Sequence, residues 1–194
     1  MKTSTSLILA SSSPRRRELL QTIGLDFTVI TSDVDESTAQ GLLPHEVVEQ
    51  LAYRKARAVA DRVEKGIVLG SDTVVVLDDI ILGKPADEEE AFAMLSSLRG
   101  REHVVYSGVA LIDAEIARYE VRHSKTQVRI RALTDQEIHA YIRTKEPMDK
   151  AGSYAIQGIG ATMVESITGD YFTVVGLPLC LTANMLSRFG ISLL

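Results

Sequence analysis

The chain has 194 residues, of which 45% are hydrophobic and 24% are charged, a balance typical of a globular protein. This length suits one long domain or two small lobes that share a core, and we predict a single domain over residues 1–194. The formal net charge of −5 argues against a general nucleic-acid binder, which would usually be basic. A site for a polyanion must therefore be assembled locally from a few basic residues.

Cysteine content and the N-terminal segment favour the cytoplasm. The single cysteine, Cys180, excludes an internal disulfide and fits a reducing compartment, and its apolar surroundings predict a buried side chain. The apolar stretch at 7–10 is too short for a signal peptide, and the basic residues follow it instead of preceding it. No apolar run approaches the ~18 residues of a membrane span. We expect neither a membrane nor a nucleic-acid partner.

The predicted elements alternate between strands and helices in the first half of the chain and cluster as strands later. In chain order they begin with a strand at 6–10, a helix at 14–23, a strand at 27–30, a helix from 44 to about 63, a strand at 67–77 interrupted at 70–73, a strand at 80–82 and a helix at 87–98. They continue with strands at 103–112 and 119–131, a helix at 135–143 with a Thr134–Glu137 capping box, a hairpin of strands at 163–167 and 171–175, and a helix from about 181 to 189. This order predicts an α/β fold, a mixed β-sheet flanked by helices.

A first candidate for anion binding is the segment Ser-Ser-Ser-Pro-Arg-Arg at 11–16, between a predicted strand and a helix. We predict that Ser13 caps this helix and that Pro14 is its first residue. Free backbone N–H groups and the helix dipole favour an anion there, although the Gly-Lys-Ser/Thr ending of a Walker A loop is absent. A plain N-cap with a solvated basic face explains the same residues, so both interpretations stay open.

Two charged residues interrupt apolar patterns. Lys55 lies on the apolar stripe of the helix that begins at Pro44, so its ammonium must either snorkel to solvent or meet an anion. Asp72 lies in the apolar run at 68–76, where a lone carboxylate is costly unless it is paired, binds a metal or is hydrogen-bonded to backbone at a bulge. Gly70, just before it, would let another group approach closely.

Two loops carry further polar residues. Lys84 lies in the rigid loop Gly-Lys-Pro at 83–85. Asp149, Lys150 and Gln157 are embedded between small and apolar residues in a later loop. Such a loop either only turns the chain or recognises the edge of a base, since three hydrogen-bonding groups suit both. The four histidines share no metal-ligand spacing.

Taken in order, these segments resemble the Maf family of nucleoside triphosphate pyrophosphatases from Leu7 to about Phe189, nearly the whole chain. The stretches that carry the resemblance are LASSSPRR at 9–16, KARA at 55–58, GSDTV at 70–74, GKP at 83–85, LRG at 98–100, EPMDKAG at 146–152, IQG at 156–158 and VGLPL at 175–179. Each stretch is short, but their order and spacing together are specific.

The resemblance implies the inosine triphosphate pyrophosphatase-like (Maf/Ham1) fold, with two lobes and a central cleft. It implies that Asp72 is the proton acceptor and that Arg15, Thr73 and Gln157 are specificity positions. Other polar site positions that match are Ser11, Arg16, Glu36, Lys55, Lys84 and Lys150. The Asp-Lys-Ala-Gly and Gln-Gly sequences in the late loop match the subfamily that cleaves dTTP and UTP, whereas the subfamily that acts on 7-methyl-GTP differs in both places.

The chemistry of a triphosphate agrees with these residue types. The substrate carries about four negative charges, and its transition state spreads charge over oxygens that basic side chains can neutralise. A divalent cation, Mg²⁺ or alternatively Mn²⁺, would be held by Asp72 and Glu36, and Asp72 would orient or deprotonate the attacking water. The amide of Gln157 can match O4 and N3–H of uracil or thymine. The expected cations are Arg15, Arg16, Lys55 and Lys84.

We therefore predict a hydrolase that converts dTTP and UTP, with CTP as a further candidate, to the monophosphate and pyrophosphate. One alternative is a house-cleaning pyrophosphatase for purine or modified triphosphates. Another is a nucleotide-binding regulator, for instance of cell division, which would tolerate loss of Asp72. A homodimer is left open, because oligomeric state cannot be read from these patterns.

Overall fold

The computed structural model describes residues 6–194, and residues 1–5 of the predicted domain lie outside it. The strands are β1 (Leu7–Leu9), β2 (Phe27–Val29), β3 (Ile67–Leu77), β4 (Ile80–Leu82), β5 (Glu102–Asp113), β6 (Tyr119–Ile130) and β7 (Val164–Thr168). The helices are α1 (Pro14–Thr22), α2 (Pro44–Ala60), α3 (Glu88–Leu98), α4 (Asp135–Arg143), α5 (Tyr171–Val175) and α6 (Leu179–Arg188). Short 3-10 helices lie at Glu146–Asp149, Ala151–Ser153 and Gly158–Met163.

Within the described residues, seven strands form one mixed sheet in the order β2-β1-β3-β5-β6-β7, with β4 paired to β3. Strand β1 is parallel to both of its neighbours, with Leu9 opposite Val29 on β2 and Leu69 on β3. Strand β4 is antiparallel to β3, and β7 is antiparallel to β6. The predicted mixed β-sheet flanked by helices is confirmed, and the parallel pairs come from the early strand–helix alternation.

The chain divides into two compact units. The first contains the described part of residues 1–72 together with 107–124 and 176–194, and the second contains residues 73–106 and 125–175. No helix within residues 6–194 is both long enough and apolar enough to cross a lipid bilayer.

In the first unit, α2 lies directly on the sheet. A Cβ atom on Gly70 would lie 2.3 Å from the carbonyl oxygen of Ala52, and one on Gly108 would lie 2.3 Å from that of Val48. No side chain fits in that space, so the close approach predicted at Gly70 is confirmed. The approach fixes where the remaining residues of α2 meet β3.

In the second unit, α3 packs against α4 over an apolar core. The buried aliphatic members of that core include Leu77, Leu95, Leu98, Val105, Val128, Ile130, Ile138 and Ile142. The predicted capping box is present, because the Thr134 side chain accepts from the Glu137 N–H and Glu137 reaches back to the Thr134 N–H. These contacts stabilise α3 and α4, the helices that support the loops of the second unit.

Strand β3 shows that the predicted interruption at 70–73 is wrong. The strand runs unbroken over Ile67–Leu77, and Ser71 and Asp72 are both buried within it. The polar groups are accommodated because each has a partner: the Ser71 hydroxyl donates to the Gly176 carbonyl at 3.0 Å, and Asp72 accepts from Lys55. A buried strand tolerates polar side chains when their hydrogen bonds are satisfied.

The predicted hairpin is also wrong in its second half. Residues 171–175 form α5, while the first half becomes β7 and pairs with β6. The carboxylate of Asp170 accepts from the N–H groups of Phe172 and Thr173 at 3.2 and 3.1 Å, and from the Thr173 hydroxyl at 2.9 Å. These bonds satisfy free donors at the start of a helix and override the strand preference of aromatic and β-branched residues.

Cys180 is exposed, and the prediction of a buried side chain is wrong. Helix α6 begins earlier than predicted, at Leu179, so Cys180 belongs to the helix and its orientation follows the helical repeat. The buried face carries Leu179, Thr182, Met185 and Leu186. Cys180 lies on the opposite face, although its sequence neighbours are apolar.

Candidate active site

The N-terminus of α1 has the predicted cap. The Ser13 hydroxyl accepts from the backbone N–H of Arg16 at 3.5 Å, and Pro14 occupies the first turn. The N–H of Ser13 in turn donates to the hydroxyl of Ser11 at 3.2 Å. Ser11 is buried, so this turn is fixed by its own hydroxyl groups before any ligand is considered.

Arg16 is held by two contacts within the first unit. Its Nε donates to the carbonyl oxygen of Gly176 at 2.8 Å, and its Nη1 donates to the Ser11 hydroxyl at 3.2 Å. Because Ser71 donates to the same Gly176 carbonyl, the acceptor is itself fixed. Burial lowers the pKa of Arg16 and the carboxylate of Asp72 opposes that shift.

Lys55 is bonded to two carboxylates. Its Nζ lies 2.7 Å from Oδ1 of Asp72 and 2.7 Å from Oε1 of Glu36. The side chains of Lys55 and Asp72 are 12% and 11% exposed, whereas that of Glu36 is 60% exposed. Of the two interpretations of Lys55, the contact with an anion is confirmed. Asp72 is paired with a side chain.

The fold explains why Lys55 and Asp72 meet. Side chains two residues apart point to the same face of a strand, so Asp72 lies on the face of β3 where Gly70 contacts α2. The nearest α2 atoms at Gly70 belong to Ala52 and Ala56, and Lys55 immediately precedes Ala56. The missing side chain at Gly70 therefore brings the ammonium to the carboxylate.

The two carboxylates that surround Lys55 are also candidate ligands for a metal ion. Asp72 and Glu36 converge on one cationic group, and Mg²⁺ in proteins is usually bound through one or two carboxylates together with phosphate oxygens of the substrate. The donor set fits that pattern. No group of three or more His, Cys, Asp or Glu side chains among residues 6–194 is placed to hold a metal ion.

In the second unit, a backbone hydrogen bond connects the two predicted polar loops. The N–H of Gly152 donates to the carbonyl of Gly83 at 3.0 Å, which joins the loop of Lys84 to the segment that follows Lys150. Lys84 is exposed. The Nζ of Lys150 donates to the carbonyl of Glu146 at 2.5 Å and to Oδ1 of Asp149 at 2.6 Å.

Gln157 precedes the 3-10 helix Gly158–Met163 and is half-buried. Its side chain makes no capping hydrogen bond to that helix. Thr73 follows Asp72 on β3, so the two side chains point to opposite faces of the strand. Arg15 is half-buried in the first turn of α1.

The structure therefore brings Ser11, Arg16, Glu36, Lys55 and Asp72 together in the first unit. Three participants were missed by sequence reasoning. The Gly176 carbonyl accepts from Arg16 and also from the Ser71 hydroxyl, and the carboxylate of Glu146 accepts from three groups of the second unit. Gly176 acts through a backbone carbonyl, for which a sequence carries no side-chain signal. Glu146 is the first residue of the EPMDKAG stretch that carries the resemblance, but no site role was predicted for it.

The histidine at position 103 is a core residue. It is 3% exposed, and its Nε2 lies 2.6 Å from the hydroxyl of Tyr154. Burial lowers the pKa of His103 to about 4, so the ring is neutral at physiological pH.

The mixed α/β fold of this chain is similar to that of a protein of known structure. The solved structure of the Staphylococcus aureus Ham1 protein aligns with a TM-score of 0.51 over 82% of this chain and 79% of that chain, at 17% sequence identity. A family model described as Maf-like protein matches residues 6–189. The chain belongs to the Maf-like protein family.

Two curated relatives are similar over nearly their whole length. The dTTP/UTP pyrophosphatase of Pelotomaculum thermopropionicum is 52% identical over 188 residues, which cover 97% of this chain and 98% of that protein. The dTTP/UTP pyrophosphatase of Symbiobacterium thermophilum is 53% identical over 186 residues, which cover 95% of this chain and 94% of that protein.

Proposed function

We propose that this protein hydrolyses dTTP and UTP to the nucleoside monophosphate and pyrophosphate, with a divalent cation as cofactor. The observation that carries the proposal is the cluster formed by Asp72, Lys55 and Glu36, in which a nearly buried carboxylate is held by an ammonium group. The names of the two relatives, which match this chain over almost their full length, support the substrate class.

The reaction requires a nucleophile and charge stabilisation. Water attacks phosphorus, a P–O bond to it forms, the bond to the pyrophosphate leaving group breaks, and the water proton passes to a base. Asp72 is the proposed base, because its carboxylate is held in place by Lys55. The oxygens of the transition state gain negative charge, which Lys55 and Arg16 would offset. Arg16 suits this role because its guanidinium is already oriented by Gly176 and Ser11.

Asp72 and Glu36 are the proposed residues that hold the metal. Mg²⁺ is the preferred candidate for this metal, and Mn²⁺ is the alternative. When bound there, the cation would neutralise phosphate charge and favour loss of a proton from water. Glu36 is the more exposed of the two carboxylates, so it can exchange Lys55 for another cation without a buried charge being left unpaired.

The other site residues keep the roles that the resemblance implies, as proposals. Lys84 and Lys150 would bind phosphate, and Arg15, Thr73 and Gln157 would determine specificity. The Gln157 side chain is not used for capping, so its amide is available to O4 and N3–H of uracil or thymine. Rotation of the amide by 180° would suit cytosine, which is why CTP remains a candidate substrate.

We place the protein in the cytoplasm and treat residues 1–194 as one catalytic domain. The single cysteine is exposed on α6 and reduced thiols persist in that compartment, which supports the placement.

A panel of triphosphates tests the proposal. Purified protein with Mg²⁺ is incubated with dTTP, UTP, CTP, GTP, ATP and 7-methyl-GTP, and pyrophosphate and orthophosphate are measured separately. The proposal expects pyrophosphate, with the highest kcat/KM for dTTP and UTP. Release of orthophosphate alone, or preference for GTP or 7-methyl-GTP, would contradict it.

A further inference from the structure

We infer that Glu146 is a positioning residue that sets base selectivity by fixing the loop of Gln157. The inference rests on the proposed function and concerns the same base-recognition step. Glu146 lies in the stretch at 146–152 that carries the resemblance, but no role of its own was predicted for it.

The carboxylate of Glu146 binds the chain just after Gln157. Its Oε2 accepts from the N–H of Ile159 at 3.1 Å, and its Oε1 accepts from the N–H of Gly160 at 2.9 Å. It lies so close to Gly158 that a Cβ atom there would be 2.6 Å from Oε2. Gly158 also has a φ of +67°, which favours glycine. The loop is therefore shaped around this carboxylate.

The same carboxylate is linked to the chain just before Gln157. Oε1 of Glu146 accepts from the hydroxyl of Tyr141 at 2.9 Å, and that hydroxyl accepts from the N–H of Ala155 at 3.1 Å. Tyr141 is buried in α4, a rigid element of the core. Gln157 is thus bracketed by Ala155 and Ile159, each two residues away and each connected to Glu146.

This arrangement requires an ionised carboxylate. Three donors point at its two oxygens, and an ionised carboxylate offers only acceptors. Burial raises the pKa of Glu146, but the bonds from Gly160, Tyr141 and Ile159 outweigh this and lower it overall. In Glu146→Gln, one oxygen becomes an NH₂ group that faces a donor, so at least one of these bonds is lost. The backbone on one side of Gln157 would then be released.

A matched control distinguishes positioning from general stabilisation. Glu137 lies in the same unit, at the start of α4, and its Oε2 accepts from the Thr134 N–H at 2.8 Å while Oε1 accepts from Arg131 at 2.9 Å. Glu137→Gln removes a comparable carboxylate that binds backbone but has no bond to the Gln157 loop. A structural effect would appear in both variants, whereas an effect on base selectivity is expected only for Glu146→Gln.

The experiment compares kcat/KM for UTP with that for CTP and GTP in the wild type, Glu146→Gln and Glu137→Gln, with thermal unfolding of each. We expect Glu146→Gln to reduce kcat/KM for UTP by about 10-fold, mainly through KM, and to narrow the UTP preference by a similar factor. Glu137→Gln should lower the melting temperature and keep the preference. In a Gln157→Ala background, Glu146→Gln should have little further effect on the preference.

The outcomes separate the two proposals. A wild type without preference for pyrimidine triphosphates would overturn the proposed function. A selective wild type with an equally selective, folded Glu146→Gln variant would overturn only the role of Glu146. If Glu146→Gln does not fold, Tyr141→Phe decides the question, because it removes the hydroxyl that links Glu146 to Ala155. An unchanged UTP preference in Tyr141→Phe would then contradict the inference.

Discussion

The ammonium nitrogen of Lys55 lies 2.7 Å from a carboxylate oxygen of Asp72, and both side chains are nearly buried. This pair accounts for two residues that otherwise break apolar patterns on α2 and β3. The ammonium is fixed by the carboxylate that we propose as the general base.

Loss of Lys55 should therefore affect both folding and turnover. Lys55→Met leaves the Asp72 carboxylate without its partner, and breaking a buried pair costs about 3–5 kcal/mol. We expect a lower free energy of unfolding in urea and a kcat/KM reduced by at least about 10-fold. Arg57→Met, which removes an exposed i,i+4 pair with Asp61 on the same helix, is the control and should change both values little. A stable, fully active Lys55→Met protein would remove Lys55 from the site.

Arg16→Lys tests the oriented guanidinium. Lysine retains the charge but cannot reproduce the fork that bonds Gly176 and Ser11. We expect KM for the triphosphate to rise by about 10-fold or more, because a hydrogen bond to a charged group contributes about 1.5–3 kcal/mol. Arg17→Lys, at the exposed next position, should leave KM unchanged. Equal KM values in the two variants would show that the orientation of Arg16 is unimportant.

Glu36 should determine how much metal the reaction needs. Glu36→Gln removes one of the two carboxylates around Lys55, so half-maximal activity should require roughly 10-fold more Mg²⁺. The measurement is a Mg²⁺ titration of initial rate, with Glu18→Gln on the exposed face of α1 as the control. Excess EDTA should abolish turnover by the wild type. Full activity in EDTA would remove the cation from the mechanism.

His103 should make stability dependent on pH. Its pKa is about 4 in the folded state and about 6.5 when unfolded, so the unfolded chain binds more protons between these values. The contribution to stability is fully present above pH 6.5 and is lost as the pH falls towards 4, by about 3 kcal/mol in total. Urea unfolding of the wild type and His103→Gln between pH 7 and pH 4.5 measures it. The free energy of unfolding of the variant should fall less steeply as the pH is lowered. Identical slopes of unfolding free energy against pH in the two proteins would contradict the prediction.

Much of the fold and part of the site could be predicted from local patterns. Lys55 and Asp72 stood out because a charge in an apolar stripe needs a partner, and the cap at Ser13 follows from its position before Pro14. The contact of Arg16 with Gly176 could not be predicted, because it joins residues 160 positions apart through a backbone oxygen. The strand predicted at 171–175 failed because Asp170 caps a helix there, a bond that outweighs residue preference.

Asp72→Asn tests the central claim most directly, with pyrophosphate release from UTP as the measurement. The substitution keeps the size of the side chain and one acceptor for Lys55, which also retains Glu36, so the protein should fold. The negative charge and the basicity are lost, and kcat should fall by ~10²-fold or more, the usual scale for general-base catalysis. Thermal unfolding of the same preparation establishes that the variant is folded. Near-wild-type pyrophosphate release by a folded Asp72→Asn protein would contradict the account.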